Sequence, residues 1–182
     1  MHSRDVTTYE LTQNYRNGQS ILSFARSVIM QAGYDYRDYS IPMREEEGKV
    51  ITVEYSPTSI ARTIKRKGDY GTWFVLCRTN DQVDQMMHCL ELEKVPCCSF
   101  KRAQFSNKEL YEKMKEDNVK VLTIHTSKGL EADNVVVIGA KFYNLEEKCI
   151  SYVAATRARN LLVWTTMPTK AKRMGRVSSW ET

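Results

Sequence analysis

The segment Thr123–Glu131, TIHTSKGLE, sets His125, two hydroxyl side chains, Lys128 and Gly129 in direct succession and closes on Glu131. These groups suit a phosphate, a sugar hydroxyl or a nucleic-acid backbone. The apolar run VKVLTI (Val119–Ile124) before it predicts a buried strand reaching His125. In an open α/β sheet, ligands bind in the loops beyond the carboxyl ends of the strands. Gly129 would let a main chain come close to a ligand. Ser127 is a candidate cap for a following helix whose positive end Glu131 would favour, a role compatible with Glu131 accepting a hydrogen bond from a ribose hydroxyl. His125 is open to two readings, a buried and satisfied imidazole or a ligand contact.

Three arginines add charge. In LTQNYRNGQS, Tyr15 is able to stack on a base and Arg16 to form bidentate bonds to phosphate oxygens. The plainer reading is an ordinary loop leading into a helix. Arg157 shares one helical stripe with Ile150, Val153, Ala154 and Ala158, while Arg159 points the other way. A guanidinium on a packed face needs an anion or an escape route for its head group. A snorkelling chain, an internal salt bridge and a phosphate contact all satisfy that need. Arg78, Thr79 and Asn80 end the strand WFVLCR at the same carboxyl edge as the first segment. Two polar, partly basic loops on one edge suggest a track for single-stranded nucleic acid, with Lys128 beside it.

The elements that must position these groups alternate. Apolar spacing predicts helices over about Ser20–Gln31, with Asn17 or Ser20 as cap, Pro57–Lys67, Asp81–Lys94, Ser106–Asp117 and Glu146–Arg159. Strands are predicted at Lys49–Tyr55, Trp73–Arg78, Val95–Phe100, Val119–His125, Asp133–Ala140 and Leu161–Thr166. Strands apolar on both faces and interleaved with helices imply a mostly parallel sheet covered on both sides, a three-layer α/β domain. Residues 1–167 form that domain in this reading, and 168–182 form a basic, weakly ordered tail.

Composition bounds the partners. The chain has 182 residues, 42% hydrophobic and 27% charged, and a net charge of +5. Those are ordinary globular values for one domain. The first residues lack the apolar core of a signal peptide, and no apolar run nears the ~20 residues needed to cross a bilayer. A cytoplasmic protein without membrane partners is expected, in a bacterium or a phage-infected cell. The five cysteines form no CxxC pair, so neither a zinc site nor a disulfide framework is expected, and Cys97 and Cys98 read as small apolar packers. The basic runs Arg62–Gly68 and Lys170–Arg176 are either solvated faces or contacts to phosphates.

One motif is missing. Nowhere does GxxxxGK[ST] occur, so the chain has no P-loop to cradle a triphosphate. Nor does a DExx acidic pair stand at a strand end to hold magnesium. Any nucleotide chemistry here involves only part of a site.

Three blocks, in order, resemble superfamily 1 DNA helicases of the UvrD/Rep type: LTQNYRNGQSIL (Leu11–Leu22) is similar to motif IV, VLTIHTSKGLEADNVVVIG (Val121–Gly139) to motif V, and ISYVAATRARNLLVW (Ile150–Trp164) to motif VI. The segment Trp73–Pro96 also resembles the stretch after motif IV. The resemblance implies the second, RecA-like motor domain of such a helicase. ATP with Mg2+ would then bind in a cleft shared with a first motor domain that carries the P-loop and is absent from this chain. Tyr15 would stack on the adenine, Glu131 and Gly129 would border the ribose, and Arg16 and Arg157 would act as arginine fingers. His125, Arg78, Asn80 and Lys128 would touch single-stranded DNA. Other replication or repair proteins would be further partners. The interval Phe100–Val119 is too short for the large inserted subdomain of the UvrD/Rep group, which points to a compact layout of the RecD-like or phage kind. Ala132 and Ala155 stand where the pattern more often has Phe and Leu. The chain alone is not expected to hydrolyse ATP, and a non-hydrolysing single-stranded DNA or protein-binding module derived from a helicase domain is the alternative.

Overall fold

A computed structural model describes residues 13–30, 40–100, 107–140 and 144–167. Its centre is a six-stranded sheet whose paired neighbours all run parallel, in the order β3-β8-β7-β4-β6-β5. In chain order the elements are β1 (Gln13–Asn14), α1 (Gln19–Met30), β2 (Ile41–Pro42), β3 (Lys49–Glu54), α2 (Pro57–Lys67), β4 (Trp73–Cys77) and α3 (Asn80–Leu92), followed by β5 (Cys97–Phe100), α4 (Asn107–Met114), β6 (Val119–Thr123), β7 (Ala132–Ile138), α5 (Leu145–Ala155) and β8 (Ala158–Thr166). The mostly parallel α/β sheet expected from the sequence is present.

Alternation within the strands builds two cores. Phe74, Leu76, Leu122, Val135, Val137 and Leu162 pack under α1 and α5. Trp73, Val75, Cys77, Val121, Val136 and Ile138 pack under α2 and α3 on the other face. Helix α1 buries Ile21, Leu22, Ala25, Val28 and Ile29 on one side, as its 3.6-residue period requires. Full burial of each large aliphatic side chain contributes about 1.5–3 kcal/mol. Phe24 meets Trp164 edge to face at 5.0 Å, which fastens α1 to β8.

Local chemistry sets several boundaries. Ser56 caps α2 ahead of Pro57, Thr79 and Gln82 form a reciprocal capping box at α3, and the Asn144 side chain accepts from the Glu147 amide at α5. Gly18 is required at the start of α1, because a Cβ there would sit 2.5 Å from the Glu47 carbonyl oxygen. Asn17 does not cap α1; its side-chain amide instead donates to the carbonyls of Thr156 and Ala158.

Other boundaries depart from the sequence reading. Helix α5 stops at Ala155, not Arg159. The carbonyls of Thr156 and Ala158 are taken by Asn17, and that of Arg157 by the Ala132 amide. Those carbonyls face long-range donors, and the chain turns into β8 at Ala158. Arg157 therefore lies in a turn rather than on a packed helix face. Strand β6 ends at Thr123, leaving His125 in the turn that follows. The apolar run also hides a charge: Lys120 is fully buried, and its ammonium donates to the carbonyls of Gly71 (3.3 Å) and Glu116 (2.5 Å). The expected basic tail and the Lys170–Arg176 run lie outside the described residues. Among the described residues, no helix is long and apolar enough to cross a membrane.

Candidate functional site

The segment after β6 crosses the whole sheet. Cys77 of β4 lies opposite Thr123 and Ile138, whereas Trp73 lies opposite Asn134, so Thr123 is at the carboxyl edge and Ala132 at the amino edge. A tight turn starts the crossing: the Ser127 hydroxyl, fully buried, donates to the Ile124 carbonyl at 2.7 Å, and the Thr123 and Thr126 hydroxyls meet at 2.9 Å. Gly129 follows at φ +82°, with nothing within 4 Å of where a Cβ would stand. Leu130 packs onto the Phe74 side of the core, and Glu131 arrives at the amino edge. His125 and Glu131 thus stand at opposite edges. The sequence reading had put the whole segment at the carboxyl edge.

At the amino edge, parts of the chain far apart in sequence meet. The Arg16 Nε lies 2.5 Å from Glu131 Oε2. Arg159, at the start of β8, reaches the other Glu131 oxygen at 3.5 Å and Asp133 at 3.7 Å. Arg157 donates from Nε to the Val153 carbonyl (3.0 Å), from Nη1 to the Leu130 carbonyl (3.2 Å) and from Nη2 to the Thr156 hydroxyl (3.3 Å). All three acceptors are neutral, so its positive charge is held in place without being cancelled by them. Burial, then the nearby Arg16, push the Arg157 guanidinium below its ordinary range, with Glu131 opposing. The group remains a cation at neutral pH. Neither the salt bridge nor the snorkelling arrangement weighed from sequence describes it. Tyr15 projects beside Arg16, 64% exposed, with its hydroxyl on the Gln13 side chain.

Next to this cluster opens a cleft of about 630 Å³ under the crossing segment, floored by Phe74 and bordered by Tyr111, Met114, Gly129, Glu131 and Arg159. Lys128 sits on its rim and also borders a smaller cavity of about 130 Å³ with His125, Ile124, Cys149, Ile150 and Val153.

The carboxyl edge is organised differently. Arg78 is engaged by Glu147 through two parallel bonds, Nε to Oε2 at 3.0 Å and Nη2 to Oε1 at 2.6 Å. Both partners are largely buried, 22% and 9% exposed by side chain. Glu147 is held in turn by the Asn144 cap. Asn80, His125 and Lys128 are exposed on the same side, with Asn80 opening α3 behind the Thr79 cap. The sequence-derived residues therefore divide into two groups: Tyr15, Arg16, Glu131, Arg157 and Gly129 toward one edge, and Arg78, Asn80 and His125 at the other, with Lys128 between.

Sequence reasoning gave no site role to Glu147, Asp133 or Arg44, and read Asn17 as a helix cap and Arg159 as pointing away. Glu147 had one signal, its place three residues after Asn144 at a helix start. The other four act through contacts between distant segments. Among the described residues no cluster of His, Cys, Asp and Glu is arranged to hold a metal ion. Burial raises the thiols of Cys97 and Cys98 to about 11 and that of Cys77 to about 12, which fits packing roles.

The sequence model of the UvrD-like helicase C-terminal domain family matches residues 9–114 and 99–169. No curated protein matches the chain. Among solved structures, the C-terminal domain of a possible DNA helicase from Lactobacillus plantarum WCFS1 superposes with a TM-score of 0.58 at 15% identity, over 85% of this chain and 88% of that one. That likeness concerns the fold. The Pyrococcus furiosus Hef helicase domain is more distant, with a TM-score of 0.44 and 16% identity over 69% of this chain and 27% of that one.

Proposed function

The chain belongs to the UvrD-like helicase C-terminal domain family, and from that premise we propose that it completes the ATP site of a superfamily 1 DNA helicase and contacts single-stranded DNA. A helicase motor-domain role follows from the family. The finer reading rests on one observation above all: Arg16 and Arg157 converge at the amino edge, with Glu131 bonded to the first and Leu130 to the second.

The residues present fit a nucleotide shared between two domains. Two guanidiniums at one edge suit phosphate oxygens, and both would stabilise negative charge developing on a transferred phosphoryl group. Tyr15 offers an exposed ring for a base. Glu131 accepts from a ribose hydroxyl, and Gly129 leaves the main chain open to approach. ATP with Mg2+, when bound, supplies the phosphoanhydride whose hydrolysis drives the motor. In this reading a P-loop motor domain holds the metal and most of the triphosphate, since this sequence carries no GxxxxGK[ST]. This chain's part is to orient and to neutralise. At the other edge, His125 and Asn80 face a nucleic-acid strand, and Lys128 contributes a phosphate contact. Arg78 shapes that edge through Glu147.

The test is ATP turnover by the chain alone and together with its P-loop motor domain. The chain alone should be inactive, and the assembled motor should hydrolyse ATP faster when single-stranded DNA is added. DNA binding by the chain with no turnover in the assembled motor would instead favour a non-hydrolysing binding module.

A further inference from the structure

We infer that Asn17 and Arg44 are positioning residues that lock the turn carrying Arg16 against the turn carrying Arg157. The inference rests on the proposed role of those two arginines. Neither positioning side chain faces the cleft; both act on main chain.

Asn17 is 1% exposed. Its single amide nitrogen donates to the Thr156 carbonyl at 3.0 Å and the Ala158 carbonyl at 2.6 Å, the two peptides that flank Arg157. Its own amide oxygen accepts from the Asn14 side chain at 3.2 Å. Asn14 in turn accepts the main-chain amides of Arg16 and Asn17, each at 3.0 Å, which fixes the Arg16 turn. Only a primary amide offers both N–H groups on one atom together with an acceptor beside them. An Asp at position 17 would present acceptors to two carbonyls.

Arg44 closes the other side. Its Nη1 donates to the Arg16 carbonyl at 3.0 Å and the Arg159 carbonyl at 3.3 Å, and its Nη2 to the Asn160 side chain at 2.8 Å. Glu46 receives the remaining edge of the guanidinium, through Nε and Nη2, both at 3.1 Å. The Gly18 amide adds a direct bond to the Arg159 carbonyl at 3.2 Å. The planar fork meets several acceptors at once, which a lysine ammonium on a flexible stem does not reproduce. One arginine is therefore bound from below by carbonyls of the crossing segment and α5, and the other is tied to the same strand start by its neighbours. Their separation is set by these contacts. A displacement of about 1 Å in such a site can cost about 100-fold in rate.

The experiment measures DNA-stimulated ATP turnover of the assembled motor carrying Asn17→Ala, Asn17→Asp, Arg44→Ala or Arg44→Lys, each also in an Arg157→Ala background. Expected is a fall in kcat of about 30- to 100-fold, with KM for ATP and DNA affinity within about three-fold. In the Arg157→Ala background the added loss should shrink to about three-fold or less, because the group being positioned is gone. Arg44→Lys should not rescue. Amide exchange in the chain itself gives a second readout: Gly18 and Ala132, whose N–H groups bond to Arg159 and Arg157, should exchange about ten-fold faster in the variants, while Val75 at the sheet centre is unchanged. Should Asn17→Ala fail to fold, Arg44→Ala carries the test, since Arg44 is only partly buried whereas Asn17 is buried. Turnover within three-fold of wild type despite faster exchange would reduce the pair to a structural role. Full additivity with Arg157→Ala, or unchanged exchange at Gly18 and Ala132, would overturn the inference. If Arg157→Ala itself left turnover intact, the finger assignment would fail, and the exchange readout would still decide whether the two turns are locked together.

Discussion

The two ends of the Thr123–Glu131 segment hold Arg78 and Arg157 in opposite ways. At the carboxyl edge, Arg78 is neutralised by a buried carboxylate that meets it with two bonds. At the amino edge, Arg157 is held by two carbonyls and a hydroxyl, and Arg16 by a Glu131 that is 38% exposed. Under the proposed function, the difference separates a structural tie from a phosphate contact. A fully paired arginine ties α5 to the end of β4, whereas an arginine aimed by neutral oxygens keeps its charge for another anion. Charge count alone would have ranked the three alike.

Substitutions at each end should therefore fail in different ways. The largest effect is expected for Arg16→Ala in the assembled motor: turnover should fall by about 10³-fold, in the range of arginine fingers in related phosphoryl-transfer enzymes, with stability little changed. Stopped-flow phosphate release measures it. Arg78→Ala should act on folding instead. Glu147 is 9% exposed by side chain and meets Arg78 with two bonds, so breaking that largely buried pair should show in urea unfolding as a loss of about 3 kcal/mol. If Arg78→Ala weakened DNA binding with no loss of stability, the comparison would break.

Smaller effects sharpen it. Lys128→Ala should lower single-stranded DNA affinity and reduce the slope of log affinity against log salt by about 1, while His125→Ala weakens binding with no such change in slope. Both exposed positions should leave unfolding free energy within about 0.5 kcal/mol of wild type. The smallest effect concerns pH. The folded-state thiols of Cys97 and Cys98 are raised from 9.0 to about 11, so their contribution is complete below pH 9 and is lost as pH rises from 9 through 11. Unfolding measured across that window should show a falling stability, and Cys98→Ala should flatten the fall.

The order and type of the sheet elements were legible because strands such as Trp73–Cys77 are apolar on both faces and α1 repeats its apolar residues every 3.6 positions. The candidate residues were legible by type and by resemblance. Their arrangement was less so. No Gly or Pro marks the helix end at Ala155; the Thr156 hydroxyl and Arg157 Nε take the Val153 carbonyl, and Asn17 and Ala132 take the carbonyls that follow. The crossing of Thr123–Glu131 from one edge to the other depends on β4 lying between β6 and β7, a fact of strand order that no window of sequence contains. Arg44 sits in the polar stretch Met43–Gly48, where its three long-range acceptors leave no periodic mark. Lys120, inside the apolar run Val119–Ile124, is a buried tie to the Gly71 and Glu116 carbonyls that its sequence neighbours do not announce.

The central claim is that this chain brings two arginines to a nucleotide held mainly by another domain. Single-turnover ATP hydrolysis by the assembled motor bearing Arg157→Ala, measured with saturating single-stranded DNA, tests it most directly. A loss of about 10³-fold, as for Arg16→Ala, with DNA affinity unchanged is the predicted result. Turnover within a few-fold of wild type would contradict it.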